Sequence, residues 1–275
     1  MFEFRKKQAR LKKIMNILVI LTAVYIFVFI GVEPLIADKT AVSVCTYVCD
    51  GLVIVCMLVL FSYFSKYSKS DSFLESIEYE LSDAGCYLTS RIENNTDAYY
   101  SAVKNDLQSD NFSISENVTV NDFEFDAVCK KGKSWFYIVK DDSVDKNDIL
   151  AYTDSAVYDV TAVDIKRRGN GVVLFICDKA EDSAVALSKM ITPLGKKEQI
   201  KFATAIVEIS TKRVYFLGNK QTKCQQMIAN FVMNCEVPIK EQYIVHEKLP
   251  FQYELEEHMK DFNIKDYKNG TFYAH

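Results

Sequence analysis

Histidine is nearly absent, with three in 275 residues, and proline and glycine are scarce at four and nine. So little glycine and proline excludes collagen-like and low-complexity chains, which are built from those residues. The three histidines, His246, His258 and His275, lack the spacing of a zinc site or a metalloprotease helix. No C-x-x-C pair occurs among the eight cysteines, and no glycine-rich dinucleotide fingerprint or Gly-Lys-Ser/Thr phosphate loop is present. Three cysteines, Cys45, Cys49 and Cys56, lie in an apolar run. The other five are scattered, a pattern of buried free thiols rather than of disulfides.

Charge is divided sharply along the chain. Residues 1–13 carry six Lys/Arg against Glu3, a net of +5, and residues 14–64 carry only Lys39 against Glu33, Asp38 and Asp50. Of the 33 basic and 37 acidic residues, 26 and 33 remain beyond residue 64, a net of −7. An acidic domain is a weak general binder of nucleic acid, whose nonspecific affinity comes from Lys and Arg neutralising phosphates.

Two long apolar runs stand out. Ile14–Val32 has the length of a membrane span, since a bilayer core of ~30 Å needs about 20 helical residues. The second run, 41–64, contains twelve Val, Ile, Leu or Phe residues. Together these outweigh the cost of about 2.5–3.5 kcal/mol for a central Asp50. The connection between them is short, which predicts an antiparallel hairpin with both termini on one side. The basic start, with Lys66 and Lys69 after the second span, places that side in the cytoplasm under the positive-inside rule.

The expected organisation is a basic cytoplasmic terminus (1–13), a transmembrane hairpin (14–64, with spans near 14–32 and 41–64) and a cytoplasmic domain (65–275). The expected location is a bacterial inner membrane. Asp50, the one ionisable residue well inside a span, is expected to be neutral, to be paired with Tyr25 or Thr22 of the first span, or to lie in a subunit interface.

Beyond residue 65 the apolar periodicity alternates between helix and strand. Ser72–Glu75 reads as a capping box opening a helix. A strand is expected over Cys86–Ile92, a helix over Asp97–Leu107, and strands over Phe112–Val120, Phe123–Cys129 and Trp135–Lys140. A helix through Ile149–Val160 precedes a central strand, Val172–Cys177, continuously apolar as a strand buried on both faces should be. A helix over 184–191, a hairpin of Phe202–Ile209 with Arg213–Leu217, a helix capped by Thr222 and a tail helix begun by Pro250 complete the pattern. The fold class this predicts is α/β, a mixed sheet flanked by helices behind a two-helix hairpin.

The order helix, three strands, helix, strand over about residues 97–177 resembles the core of the restriction-endonuclease-like superfamily, including its Mrr-type branch. That resemblance implies a metal-binding acid on the second strand, matched by Asp126, and an acid-x-Lys on the third, where Lys140 matches the lysine. Ile138 stands where the second acid belongs, and an aliphatic side chain can neither coordinate Mg²⁺ nor orient water. Glu124, Asp141 and Asp142 are the neighbouring acids that could replace it.

Gly218–Lys223, between a strand and a helix, could hold an anion on its amides or be an ordinary capped helix start. Lys166-Arg167-Arg168 and Lys196-Lys197 are basic clusters or solvated loops. The leading reading is a noncatalytic interaction or regulatory module anchored in the lipid bilayer, acting through a protein partner or self-association, with no cofactor and weak nucleic-acid contact. The alternative is a membrane-tethered, Mg²⁺-dependent nuclease with Asp126 as metal ligand and Lys140 as the charge-stabilising residue.

Overall fold

The computed structural model describes residues 2–162, 168–194, 199–220 and 222–260. The chain divides into two units, residues 1–77 with 256–275 and residues 78–255.

The first unit is built on two helices, α1 (Phe2–Val32) and the start of α2 (Lys39–Ser82), joined by a 3₁₀ turn at Glu33–Leu35. Both are long and apolar enough to cross a membrane. They meet along a seam that repeats every three and four residues, the 3.5-residue period of a coiled coil. On α1 this seam contains Gln8, Met15, Leu18, Thr22 and Tyr25, and on α2 Cys45, Cys49, Leu52, Cys56, Tyr63 and Tyr67, all at least partly covered. Tyr25 Oη donates to the Cys45 carbonyl at 3.1 Å, and Thr22 Oγ1 to the Leu18 carbonyl at 2.9 Å.

At the other end of the seam Gln8, only 6% exposed, donates to Asp71 at 2.9 Å. Arg5 pairs with the same carboxylate, and the Phe4 and Tyr67 rings pack at 5.3 Å. Burial alone would raise the Asp71 pKa, but the hydrogen bonds from Gln8 and Arg5, with the nearby cationic charge, bring it below the ordinary value. Tyr25 and Thr22 are therefore engaged elsewhere and do not pair with Asp50, which is exposed on another face of α2. The expected helix start at Ser72 is also corrected: α2 runs unbroken through it. An apolar run and an amphipathic run in the same helical phase simply join when no Gly or Pro separates them.

The second unit is a three-layer α/β/α arrangement around a nine-stranded sheet. Its elements are β1 (Cys86–Leu88), α3 (Thr96–Ser109), β2 (Ser113–Val120), β3 (Phe123–Lys131), β4 (Ser134–Val144), α4 (Lys146–Thr161), β5 (Gly169–Ala180), α5 (Asp182–Ser188), β6 (Ile191–Leu194), β7 (Ile200–Glu208), β8 (Arg213–Tyr215), α6 (Lys223–Met227), β9 (Ile244–Val245) and the start of α7 (Pro250–Lys260). After α6 the chain continues as a π-helical turn, Ile228–Val232.

Strand order is β2-β3-β4-β5-β7-β8-β1-β9, with β6 against β7. The first three strands form an antiparallel meander, and β4, β5 and β7 are parallel neighbours. On one edge of β7, β6 pairs with residues 200–203 and β8 with residues 206–208, so the two short strands lie end to end. The expected strand over Cys86–Ile92 closes at Leu88. Beyond it Ser90 Oγ, Arg91 Nε and Tyr99 Oη turn to the carbonyls of Met233 and Val232 at 2.6–2.9 Å and satisfy the end of the π-helical turn.

Alternation in β5 sends Val172, Leu174 and Ile176 into a core with α3 and α6, and Val173, Phe175 and Cys177 into a second core with α4 and α5. All six are fully buried, as the continuous apolar run requires.

Among the described residues of this unit one ion pair has both side chains fully buried. Lys189, which caps α5, places Nζ 2.7 Å from Asp83 Oδ2, and both side chains are 0% exposed. The same ammonium donates to the Ala84 and Phe216 carbonyls at 2.8 and 3.1 Å. Asp83 Oδ1 accepts from Tyr87 Oη at 2.7 Å and from the amides of Gly218 and Asn219 at 3.0 and 2.9 Å. Burial pulls the Lys189 pKa down, opposed by the Asp83 charge. Gly218 is needed here because a Cβ would stand 2.2 Å from the Tyr87 ring.

Lys189→Met leaves an uncompensated buried carboxylate and should cost about 3–5 kcal/mol. Urea unfolding of the detergent-solubilised chain reads this, and a loss below about 1 kcal/mol would mean the pair is not desolvated.

Glu80 supplies a pH test in the same unit. Burial raises its pKa from 4.5 to about 7. The folded state then holds this proton more tightly than the unfolded chain, so stability is lost as pH rises from 4.5 through about 7. Glu80→Gln should raise the melting temperature at pH 8 and leave it unchanged at pH 4.5.

Candidate functional site

The sheet brings Asp126 and Lys140 together. Strands β3 and β4 are antiparallel neighbours with Ala127 opposite Ile138 and Val128 opposite Tyr137. On a regular strand residues two apart share a face, yet Phe125 and Ala127 pack into opposite cores. The strand therefore turns over at Asp126, opposite Asn117 of β2 with φ +50°, while the β2–β3 register is the same on either side. The pairing of β3 with β4 ends at Ala127 and Ile138, and beyond it the Asp126 carboxylate Oδ2 accepts from the Lys140 amide at 2.7 Å.

The Lys140 side chain closes the arrangement. Its Nζ lies 3.5 Å from Asp126 Oδ1 and 2.8 Å from Asp97 Oδ1, at the first turn of α3. It also sits 4.9 Å from the centre of the Tyr100 ring, whose other cationic neighbour, Lys104, is at 5.2 Å. Tyr100 Oη donates to the Asp126 carbonyl at 3.3 Å, and Lys104 pairs with Glu116 at 2.7 Å. The hydrogen bond to Asp97, then the charge of Asp126, raises the Lys140 pKa. Burial and the nearby Glu116 and Asp126 charges push Tyr100 up to about 12.

Asp97 was not singled out by sequence. It is 29 residues before Asp126 and looked like an ordinary first-turn acid. Only the packing of α3 on the sheet makes it the second carboxylate at Lys140. The neighbouring acids do not take that place: Glu124 is exposed opposite Thr119, and Asp141 and Asp142 are exposed past the lysine. Ile138 is fully buried in the core that packs against α3.

One ammonium lies against both carboxylates and leaves the trio a net charge of −1, and a divalent cation bound to both would have to displace Lys140. Among the described residues no group of three or more His, Cys, Asp or Glu could hold a metal ion.

The other sequence candidates resolve differently. The Gly218–Asn219 amides, read as a possible anion cradle, are taken by Asp83, so an internal carboxylate occupies that position. The helix start behind them is the capping box expected of Thr222 and Gln225. Lys166, Arg167, Lys196 and Lys197 lie outside the described residues.

Beside the Asp83 carboxylate is a cleft of about 230 Å³ lined by Tyr87, Asn219, Gln225, His246 and apolar neighbours such as Ile239. These four polar residues are each hydrogen-bonded within the fold. All eight cysteines are free, and burial pushes the thiols of Cys129, Cys177 and Cys224 up to about 12, which leaves them poorly nucleophilic.

Comparison with known proteins gives no match, whether to a family model, a curated protein or a solved structure.

If Asp126 holds the end of the β3–β4 ladder, Asp126→Ala should cost about 1–3 kcal/mol by leaving the Lys140 amide without its acceptor, while Asp126→Asn, which keeps an acceptor oxygen, should cost less than about 1. Chemical denaturation of the two variants side by side distinguishes them.

Proposed function

We propose that this protein is a membrane-anchored module without catalytic activity, held in the bilayer by the α1–α2 hairpin and acting through protein contacts made by residues 78–255 and by the hairpin. The observation that carries this is the apolar outer surface of the two long helices. Phe27, Ile20, Phe61 and Leu58 are 61–78% exposed. Apolar area of that extent is stable in lipid and not in water. The six positive charges in the first turns of α1 favour keeping that end, and hence the polar unit, in the cytoplasm. On the polar unit, the best-formed charge cluster is closed on itself: Lys140 is shared between Asp97 and Asp126, which supports a structural role for all three.

A second reading rests on the element order. From α3 to β5 the chain runs helix, three antiparallel strands, helix, parallel strand, the order of the restriction-endonuclease-like core, with Asp126 and Lys140 on the second and third strands. On this reading the unit is a membrane-tethered nuclease, with Asp97 in addition to Asp126 at the site. The absence of an acid at Ile138 and the ammonium between the carboxylates favour the first reading.

The test has two arms. Alkaline carbonate extraction of membranes from expressing cells should leave the chain in the pellet, with a reporter fused after Lys39 outside and one fused to the carboxyl terminus inside. The purified chain should not cleave single- or double-stranded DNA or RNA with Mg²⁺ or Mn²⁺. Cleavage lost in both Asp126→Asn and Lys140→Ala would establish the nuclease reading instead.

A further inference from the structure

The second long helix carries two seams, and only one has a partner among the described residues. The first, through Cys49, Leu52 and Cys56, is covered by α1. The second has the same period and lies on the opposite side: Tyr47, Asp50, Ile54, Met57, Phe61 and Phe64, at spacings of three and four, are all exposed. Tyr47 is 75% and Phe61 74% exposed. Asp50 has no hydrogen-bond or ion-pair partner among the described residues, and Tyr25 and Thr22, the hydroxyls that could have reached it, donate to backbone carbonyls.

This inference rests on the membrane-anchored reading. Asp50 is eleven residues into the helix that starts at Lys39, a rise of about 16 Å, which is the middle of a ~30 Å hydrocarbon core. Lipid covers Ile54, Met57 and Phe61 well but offers nothing to a carboxyl or to the Tyr47 hydroxyl. At that depth an acid is either neutral and hydrogen-bonded or very costly.

We infer that the Tyr47–Phe64 face is an interface between two copies of this chain, held by their Asp50 carboxyls. A second copy is favoured over another partner because the face complements itself. Copies inserted by the same charge signal share one orientation, so two such seams run parallel and bring Asp50 opposite Asp50 at the same depth. Two neutral carboxyls each present one O–H and one acceptor oxygen and can satisfy each other reciprocally. The Tyr47 hydroxyl, one turn away, adds a donor. A 3.5-residue period keeps the seam in register along its length. Gly51 beside Asp50 has open space where a Cβ would project, which lets the helices approach closely there. A different protein would need its own polar group at the same depth.

The test is site-specific photocrosslinking of the full chain in its membrane, with a benzophenone side chain at Phe61, at Met57, or at the off-seam residue Val55. Phe61 and Met57 should give a product of twice the chain mass and Val55 should not. Asp50→Leu should lower that product about tenfold, and Asp50→Asn, which keeps both a donor and an acceptor, should preserve it. Alkaline carbonate extraction of the same membranes reads anchoring separately. A chain that stays in the membrane but yields no dimer from Phe61, or equal dimer from Val55, overturns the interface and leaves the anchor intact. Dimer that survives Asp50→Leu overturns the role given to the carboxyls. A chain released by carbonate overturns the anchor and the interface with it.

Discussion

A desolvated carboxylate and a desolvated ammonium tie the polar unit together. Asp83 follows the end of α2, Lys189 closes α5, and their remaining partners are Tyr87 on β1 and the backbone of Ala84, Phe216, Gly218 and Asn219. Removing two such ions from water costs several kcal/mol each, a cost offset only when every lone pair and proton finds a partner. Here three acceptors surround the ammonium, and three donors meet one carboxylate oxygen while the ammonium meets the other. That requirement fixes where β8 ends, where Tyr87 stands and how the loop before α6 turns. Asp83 and Lys189 are 106 residues apart, so the pair joins distant parts of the unit.

The same logic recurs wherever the fold departs from regular structure. The pairing of β3 with β4 ends at Ala127 and Ile138, and the Asp126 carboxylate extends it by accepting from the Lys140 amide. The π-helical turn ends with exposed carbonyls, and Arg91 and Tyr99 cover them from the other side of the chain. In each case a side chain that sequence inspection reads as chemically available is consumed by the backbone. Among the described residues Glu93 Oε2, Thr153 Oγ1 and Ser155 Oγ are the buried side-chain atoms left without a hydrogen-bond partner.

Local signals were readable in the sequence because they are set by neighbours within a few residues. The strands over 113–144, the central β5, the hairpin of β7 and β8, and the Thr222 and Pro250 helix starts follow from period and capping chemistry. Asp126 and Lys140 were likewise legible as strand neighbours, since a short basic hairpin sets their register. What was not legible is what depends on long-range packing. Lys189 sits at a helix end like many surface lysines, and nothing local marks it as buried. Asp97 meets Lys140 only because α3 packs on β4. Gly218 and Asn219 read as an anion cradle, correctly as to chemistry, but the anion is supplied by Asp83, 135 residues earlier.

The contrast between the two units turns on solvent. In the polar unit an unmatched group at the surface is satisfied by water, so exposure of a charge carries no message. On a helix read as membrane-embedded the inference reverses, because lipid satisfies nothing and an exposed carboxyl must be answered by protein. Asp50 is therefore more informative than the many exposed acids beyond residue 78, although it is a single residue. On that reading the hairpin leaves Asp50 without a partner among the described residues, and a helix of the same orientation can meet it in the plane of the membrane.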